Sequence, residues 1–211
     1  MSPDVASFIR ANLHVQPARM VPEIRLYTAH PGSRLGRLEG TAASNELVPP
    51  YWAYGWAGGT VLARHLLDHP EIARGRRVLD LGCGSGIVGI AAAMTGAASV
   101  LASDIDAHAL IATGLNAALN GVMVETAIGD LTNAPPPPVD IVLVGDLFYD
   151  GKTAQRVLPF LVRCVAAGHV VLVGDPYRAH LPEARLSLVE AYDVPDFGSG
   201  TGTRAAVFAL L

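Results

Sequence analysis

The chain has 211 residues, 51% of them hydrophobic and only 16% charged, a composition that fills a core and excludes a disordered protein. Nineteen acids against fifteen bases give a formal net charge of −4, and Lys152 is the single lysine, so there is no basic stripe to read as a nucleic-acid footprint. Two cysteines, Cys83 and Cys164, make no disulfide framework, and no apolar run reaches the roughly 18 residues of a membrane span; the expectation is one reduced, soluble, cytoplasmic domain.

Taken from the start, residues 1–44 read as an N-terminal extension and residues 45–211 as the main domain. The aromatic segment Tyr51-Trp52-Ala53-Tyr54-Gly55-Trp56-Ala57-Gly58-Gly59 leads into a helix. His65 and His69 stand four apart on that helix and share a face. No cysteine or acid at ligand spacing joins them, so they read as surface or packing residues and no metal is expected.

From Arg76 the chain alternates strand, glycine turn and helix. Arg77–Leu81 is a short apolar strand, Ile87–Met94 an alanine-rich helix, Ser99–Asp104 a second strand and Ala107–Leu119 a second helix ended by Asn120-Gly121. Val122–Ile128 follows as a less regular strand, and four prolines, 135–138, form a stiff connector. Val139–Gly145 is the fourth strand. A helix from Lys152 to Ala167, carrying Pro159, leads to a fifth strand over 168–176. Leu186–Val194 and Arg204–Leu211 read as an antiparallel hairpin around the glycine-rich tip 196–202.

Wholly apolar strands alternating with helices predict a doubly wound, Rossmann-like α/β sheet of seven strands, mostly parallel and with an antiparallel last strand. In such a sheet the ligand binds beyond the carboxyl ends of the strands, where strand order reverses. The turns after Leu81, Ser103, Ile128 and Gly145 should therefore surround one crevice.

The strongest local signal is Asp80-Leu81-Gly82-Cys83-Gly84-Ser85-Gly86-Ile87-Val88-Gly89. Gly84, Gly86 and Gly89 satisfy the GxGxxG pattern, and Asp104 lies the right distance downstream to take ribose hydroxyls. The pattern alone also suits a turn serving only strand-to-helix packing. Charge separates the two nucleotide classes that the loop could hold. A pyrophosphate needs backbone N–H groups with no anion nearby, whereas Asp80 at the mouth of the turn would repel it. The same carboxylate suits the amino group of S-adenosylmethionine (SAM), and Asp130 could accept from the adenine amino group. SAM is thus favoured over NAD. Cys83 is read as a small side chain tolerated between glycines, with no histidine placed to activate it.

Gly145-Asp146-Leu147-Phe148-Tyr149-Asp150 ends the fourth strand. Gly145 should let the backbone approach the cofactor. Asp146 and the aromatic pair suit a cationic acceptor, by charge and by cation–π attraction. The plainer alternative is that Asp146 and Asp150 cap the next helix while Phe148 and Tyr149 pack as core.

The glycine loop, the Gly145–Asp150 turn, the Gly174-Asp175-Pro176 turn and the aromatic segment before Gly58 together resemble the seven-β-strand protein lysine methyltransferases. Within them, the resemblance is to the group acting on the electron-transfer-flavoprotein β subunit, over roughly residues 45–178. It implies methyl transfer from SAM to lysines of that subunit. It also implies that Trp56 and Gly58 lie beside the methionine end of SAM, that Asp80, Gly82 and Gly84 hold the amino-acid part and Asp104 the ribose, with Cys83, Gly86, Ile105, Asp130 and Gly145 counted among the cofactor-binding residues. Asp146 and Tyr149 would meet the lysine. Tyr177 departs from the small residue expected there. Another protein substrate such as a ribosomal protein, an NAD-linked oxidoreductase and a non-catalytic SAM-fold module stay open as alternatives.

Overall fold

The computed structural model describes residues 4–38, 49–195 and 202–211. Helix α1 (Val5–Asn12) opens on an Asp4 cap, and a two-stranded hairpin, β1 (His14–Ala18) and β2 (Val21–Thr28), follows it. After α2 (Ala57–Asp68) the alternation begins: β3 (Arg77–Leu81), α3 (Ile87–Met94), β4 (Ser99–Asp104), α4 (Ala107–Leu119) and β5 (Glu125–Ile128). Then come β6 (Ile141–Gly145), α5 (Gly151–Ala166), β7 (Val170–Asp175), β8 (Leu186–Pro195) and β9 (Gly202–Leu210).

Seven strands form one sheet in the order β5-β4-β3-β6-β7-β9-β8. β5, β4, β3, β6 and β7 are parallel, and β9 runs against both β7 and β8. The chain winds outward from β3 through β4 to β5, then returns to the other side of β3 at β6. That reversal is the switch point, and it lies where the glycine loop and the Asp146 turn leave the sheet.

Successive residues along each strand point to opposite faces, so both faces carry apolar side chains. Val78, Ile141, Leu143, Leu172 and Val207 meet α2 and α3 on one side. Leu79, Val142, Val144, Val171 and Val173 meet Val157, Phe160 and Leu161 of α5 on the other. This two-sided burial is why the strands read as unbroken apolar runs.

Several boundaries differ from the sequence reading, the fourth strand beginning at Ile141, the fifth covering Val170–Asp175 and the last Gly202–Leu210. The third strand pairs only over Glu125–Ile128, because Val122 and Val124 pack against the α2–α3 layer instead of joining a ladder. The fifth helix starts at Gly151 and continues through Pro159. The tip at 196–201 and the boundary at 44/45 fall outside the described residues.

The N-terminal hairpin is tied to the sheet layer by side chains of α4. Asn116 Oδ1 accepts the Tyr27 N–H at 2.9 Å, and Asn120 bonds the backbone N–H and carbonyl of Arg25 at 2.9 and 2.7 Å. Two asparagines thus stand in for a neighbouring strand. Val21, Ile24 and Leu26 bury their side chains in the α2–α3 layer, while Phe8, Ile9 and Leu13 form a separate cluster with Trp52, Ala109 and Ala112. Both cysteines are buried free thiols. Among the described residues no helix is long and apolar enough to cross a membrane.

Candidate active site

A crevice of about 420 Å³ opens at the switch point. Gly82 and Gly84 after β3, Asp104 and Ile105 after β4, Asp130 after β5, and Gly145, Asp146 and Tyr149 after β6 all line it, with Trp56 closing one side. Four turns expected around one cleft do surround one. Asp80, Cys83, Gly86 and Gly58 are absent from its wall, and each has a different occupation.

Asp80 is 1% exposed, and its Oδ2 accepts the Gly89 N–H of α3 at 2.8 Å. Burial pushes its carboxyl up to about 7, against the pull of that hydrogen bond. It braces the glycine loop from beneath, through the Gly89 N–H, in addition to whatever it offers the methionine end. Gly89 has to be glycine for the same reason, since a Cβ there would lie 3.1 Å from Asp80 Oδ2. The loop itself rises through left-handed conformations at Gly82, Gly84 and Gly86, which side chains rarely adopt. Cys83 is buried 3.4 Å from Thr113 Oγ1, its thiol pushed well up by burial and by Asp80 and Asp104; it packs and does not react.

At the cofactor end Asp104 is held by backbone alone. Its Oδ2 accepts the Gly84 N–H at 2.9 Å and its Oδ1 the Asp106 N–H at 3.0 Å. Burial raises its pKa while the two N–H groups oppose the rise. Asp130 accepts from Thr132 and faces Arg156 at 3.2 Å. Burial pushes its carboxyl up, but Thr132 and the Arg156 charge together hold it below the ordinary value.

The acceptor end is built differently. Asp146 is a non-glycine residue at φ 58°, a strained conformation that turns its carboxylate back over the sheet. Oδ2 accepts the Gly59 N–H at 2.8 Å, and Oδ1 accepts from Arg178 Nη2 at 2.7 Å. Burial raises the Asp146 pKa and the Arg178 guanidinium works against it. Close packing of backbone on backbone makes the arrangement possible. A Cβ on Gly58 would fall 2.1 Å from the Gly174 carbonyl oxygen, and one on Gly145 would fall 2.8 Å from Gly59 Cα. The backbone that Gly145 admits on one side is the start of α2, while Gly145 itself also lines the crevice.

Three rings, Tyr51, Trp56 and Tyr149, line the crevice beside this carboxylate, and Tyr54 packs behind Trp56. Tyr51 lies 5.6 Å from Trp56 and 5.7 Å from Tyr149, and Tyr54 lies 6.4 Å from Trp56. The Arg178 guanidinium sits 5.9 Å from the Trp56 ring. Tyr149 is half exposed, whereas Phe148 is fully buried in the α5 layer, so the aromatic pair divides between wall and core. Asp150 accepts from the N–H groups of Lys152 and Thr153 and caps α5, while Asp146 does not cap α5 but satisfies the Gly59 N–H in the first turn of α2.

Arg178 and its neighbour Asp175 went unnoticed in the sequence beyond the Gly174-Asp175-Pro176 turn. Asp175 Oδ1 accepts the Arg178 N–H at 2.7 Å, and its buried Oδ2 has no partner among the described residues. Burial, with Asp146 nearby, pushes its carboxyl up to about 6. Tyr177 takes φ 61° in this turn and packs on Phe208, which explains why a small residue was expected there.

A family model for ribosomal protein L11 methyltransferase (PrmA) matches residues 55–145. The electron transfer flavoprotein beta subunit lysine methyltransferase of Xenopus laevis is 40% identical over 211 aligned positions, covering 91% of this chain and 82% of that one. The Danio rerio protein of the same name is 39% identical, covering 85% and 70%. The chain belongs to the electron transfer flavoprotein beta subunit lysine methyltransferase family. Among solved structures, the N-methyltransferase NodS from Bradyrhizobium japonicum in complex with S-adenosylhomocysteine superposes with TM-score 0.55 at 16% identity, covering 72% of this chain and 85% of that one, a likeness of fold.

SAM is the methyl donor of this methyltransferase. The crevice fits it. Its volume falls within the range of small-molecule sites. The left-handed glycines leave the loop bare of side chains, and a Cβ on Gly82 would run into Leu147 at 2.6 Å. Asp104, Asp130 and Asp146 put carboxylates on the wall, as a cationic donor requires. With family membership given, the oxidoreductase alternative falls away, and Asp80 is not needed to exclude it.

Proposed function

We propose that this chain transfers methyl groups from SAM to lysine side chains of a protein substrate, foremost the electron transfer flavoprotein β subunit. One observation carries the lysine half of the reading. A buried carboxylate, flanked by tyrosine and tryptophan rings at the mouth of the crevice, is already holding a cation.

In this reading the Arg178 guanidinium occupies the place of the incoming ammonium. The acceptor lysine enters between Tyr51, Trp56 and Tyr149, displaces Arg178 from Oδ1 and is aimed by Asp146. SAM when bound supplies a methyl group activated on a sulfonium centre. An anion beside a lysine favours the ammonium, whose unperturbed pKa is about 10.4, so Asp146 captures and orients and is not a strong base. Desolvation of the lysine stem by these three rings pushes the opposite way and favours the neutral amine. The gain from the chain's own residues is therefore orientation and exclusion of water. Asp104 and the loop at Gly82 and Gly84 hold the donor. A cytoplasmic setting belongs to the same proposal.

The match of residues 55–145 to the L11 methyltransferase model favours a second protein substrate, a ribosomal protein. The test is to incubate the chain with tritiated SAM and lysate, with and without purified flavoprotein, and to identify the labelled band. Label on the flavoprotein β subunit supports the first reading and label on a ribosomal protein the second. Absence of label on any protein overturns both.

A further inference from the structure

Helix α2 starts at the active site and ends some distance from it, and its last turn carries His65 and His69. The sequence offered them no third ligand. The fold brings one from more than a hundred residues away: Glu190 Oε2 lies 2.9 Å from His65 Nδ1 and 3.3 Å from His69 Nε2. One ligand atom from each of the three residues falls within 4.8 Å of the others.

The position of Glu190 depends on an irregularity in β8. Leu186 pairs with Leu210 and Leu188 with Phe208, all on the α5 side of the sheet. Val189 has no partner, and Glu190 then pairs with Val207, on the α2 side. Without that extra residue Glu190 would fall opposite Ala206 and face away from α2. Such bulges re-aim side chains, and they recur beside functional sites.

We propose that His65, His69 and Glu190 bind one divalent transition-metal ion of the zinc class, which clasps the last turn of α2 to edge strand β8. Two imidazoles and a carboxylate are a donor set that zinc accepts. Ligands at about 2.0–2.1 Å in a tetrahedron stand roughly 3.3 Å from one another. The His69–Glu190 separation is already at that value, and the remaining separations need changes within side-chain reach. His65 is 4% exposed and provides the fixed ligand, while His69 and Glu190, each 43% exposed, leave the outer coordination position to solvent.

Two neighbours shape the site. Glu71 stands 3.7 Å from His69 Nδ1 and so favours the tautomer whose Nε2 is free to ligate. The Tyr192 hydroxyl, 2.7 Å from Glu190 Oε2 and 2.9 Å from His65 Nδ1, occupies the gap that the ion would fill. His65 Nε2 is buried without a partner, so no outer acceptor supports ligation through Nδ1, and the affinity expected is micromolar. The ion is structural, and the clasp is separate from the crevice.

The experiment uses the full chain stripped of metal by a chelator. Zinc chloride is titrated by calorimetry, and cobalt chloride is followed by visible absorption. One ion per chain is expected, with a cobalt spectrum of low-symmetry nitrogen and oxygen coordination and a rise in Tm that saturates with zinc. Glu190→Gln and His69→Ala, both at half-exposed positions that leave folding intact, should each weaken binding by more than about 100-fold, beyond what loss of an outer-shell partner does. His14→Ala is the control, because His14 and His30 form the other close histidine pair, stacked at 3.7 Å. Affinity that survives Glu190→Gln, or that falls with His14→Ala, would overturn the assignment, as would no binding by wild type.

Discussion

The two ends of the crevice hold aspartates in opposite ways. At the cofactor end both oxygens of Asp104 accept backbone N–H groups, from Gly84 and Asp106. At the acceptor end Asp146 accepts one backbone N–H and one side chain, the Arg178 guanidinium, which is itself partly exposed. Backbone partners cannot leave, so Asp104 is set in advance for a ligand that every turnover requires. A side-chain partner can swing away, so Asp146 is set for a cation that comes and goes. In the proposed reading, the difference separates a permanent donor site from an exchangeable acceptor site.

The largest effect that could break this division is at Asp146. Asp146→Asn keeps an acceptor for Gly59 and removes the charge, so methyl transfer should fall by at least about 100-fold, the scale of a misplaced reactant. Calorimetry should show S-adenosylhomocysteine affinity close to wild type, and a parallel loss of affinity would erase the distinction between the ends.

Asp80 provides the next test, through pH. Its folded pKa of about 7 lies above the ordinary carboxylate value, so the native state binds the proton more tightly than the unfolded chain. The associated stability is fully present below about pH 4 and is lost as pH rises through about 7, amounting to a few kcal/mol. Asp80→Asn should flatten that part of the stability profile in denaturant titrations while leaving cofactor affinity largely intact. If affinity collapsed, Asp80 would be a ligand and not a brace.

A smaller change is expected from Asp104→Ala. Losing hydrogen bonds from a charged acceptor costs about 1.5–3 kcal/mol, or roughly 10- to 100-fold in S-adenosylhomocysteine affinity. The rate at saturating donor should fall much less. Smallest is Arg178→Gln, which removes the resident cation. The KM for the protein substrate should drop by a few fold, and the acid limb of activity should move to higher pH because Asp146 loses the group that opposes its raised pKa. An unchanged KM would make Arg178 a structural partner only.

Most of the sheet was legible in the sequence because its strands are buried on both faces, as Val78-Leu79 and Val142-Leu143-Val144 are. The crevice was legible through its glycines and the aspartates that end β4 and β6. What the sequence hid came from contacts between distant segments. The bond from the Gly89 N–H to Asp80 was hidden because a residue at a strand end carries no mark of which way its side chain turns. Gly58 and Gly145 were singled out for the cofactor, and the backbone each lies against, at Gly174 and Gly59, was hidden because another element supplies it. Arg178 and Glu190 lie 32 and 125 residues from the groups they meet, Asp146 and His65, and no spacing rule reaches that far.

The central claim is that Asp146 presents a protein lysine to the bound donor. Its most direct test is mass spectrometry of purified electron transfer flavoprotein incubated with SAM and either wild-type chain or Asp146→Asn. The account predicts methyl-sized increments on lysines of the β subunit with wild type and none with the variant, at equal cofactor occupancy. An unmodified β subunit with wild type, or equal modification by both, would contradict it.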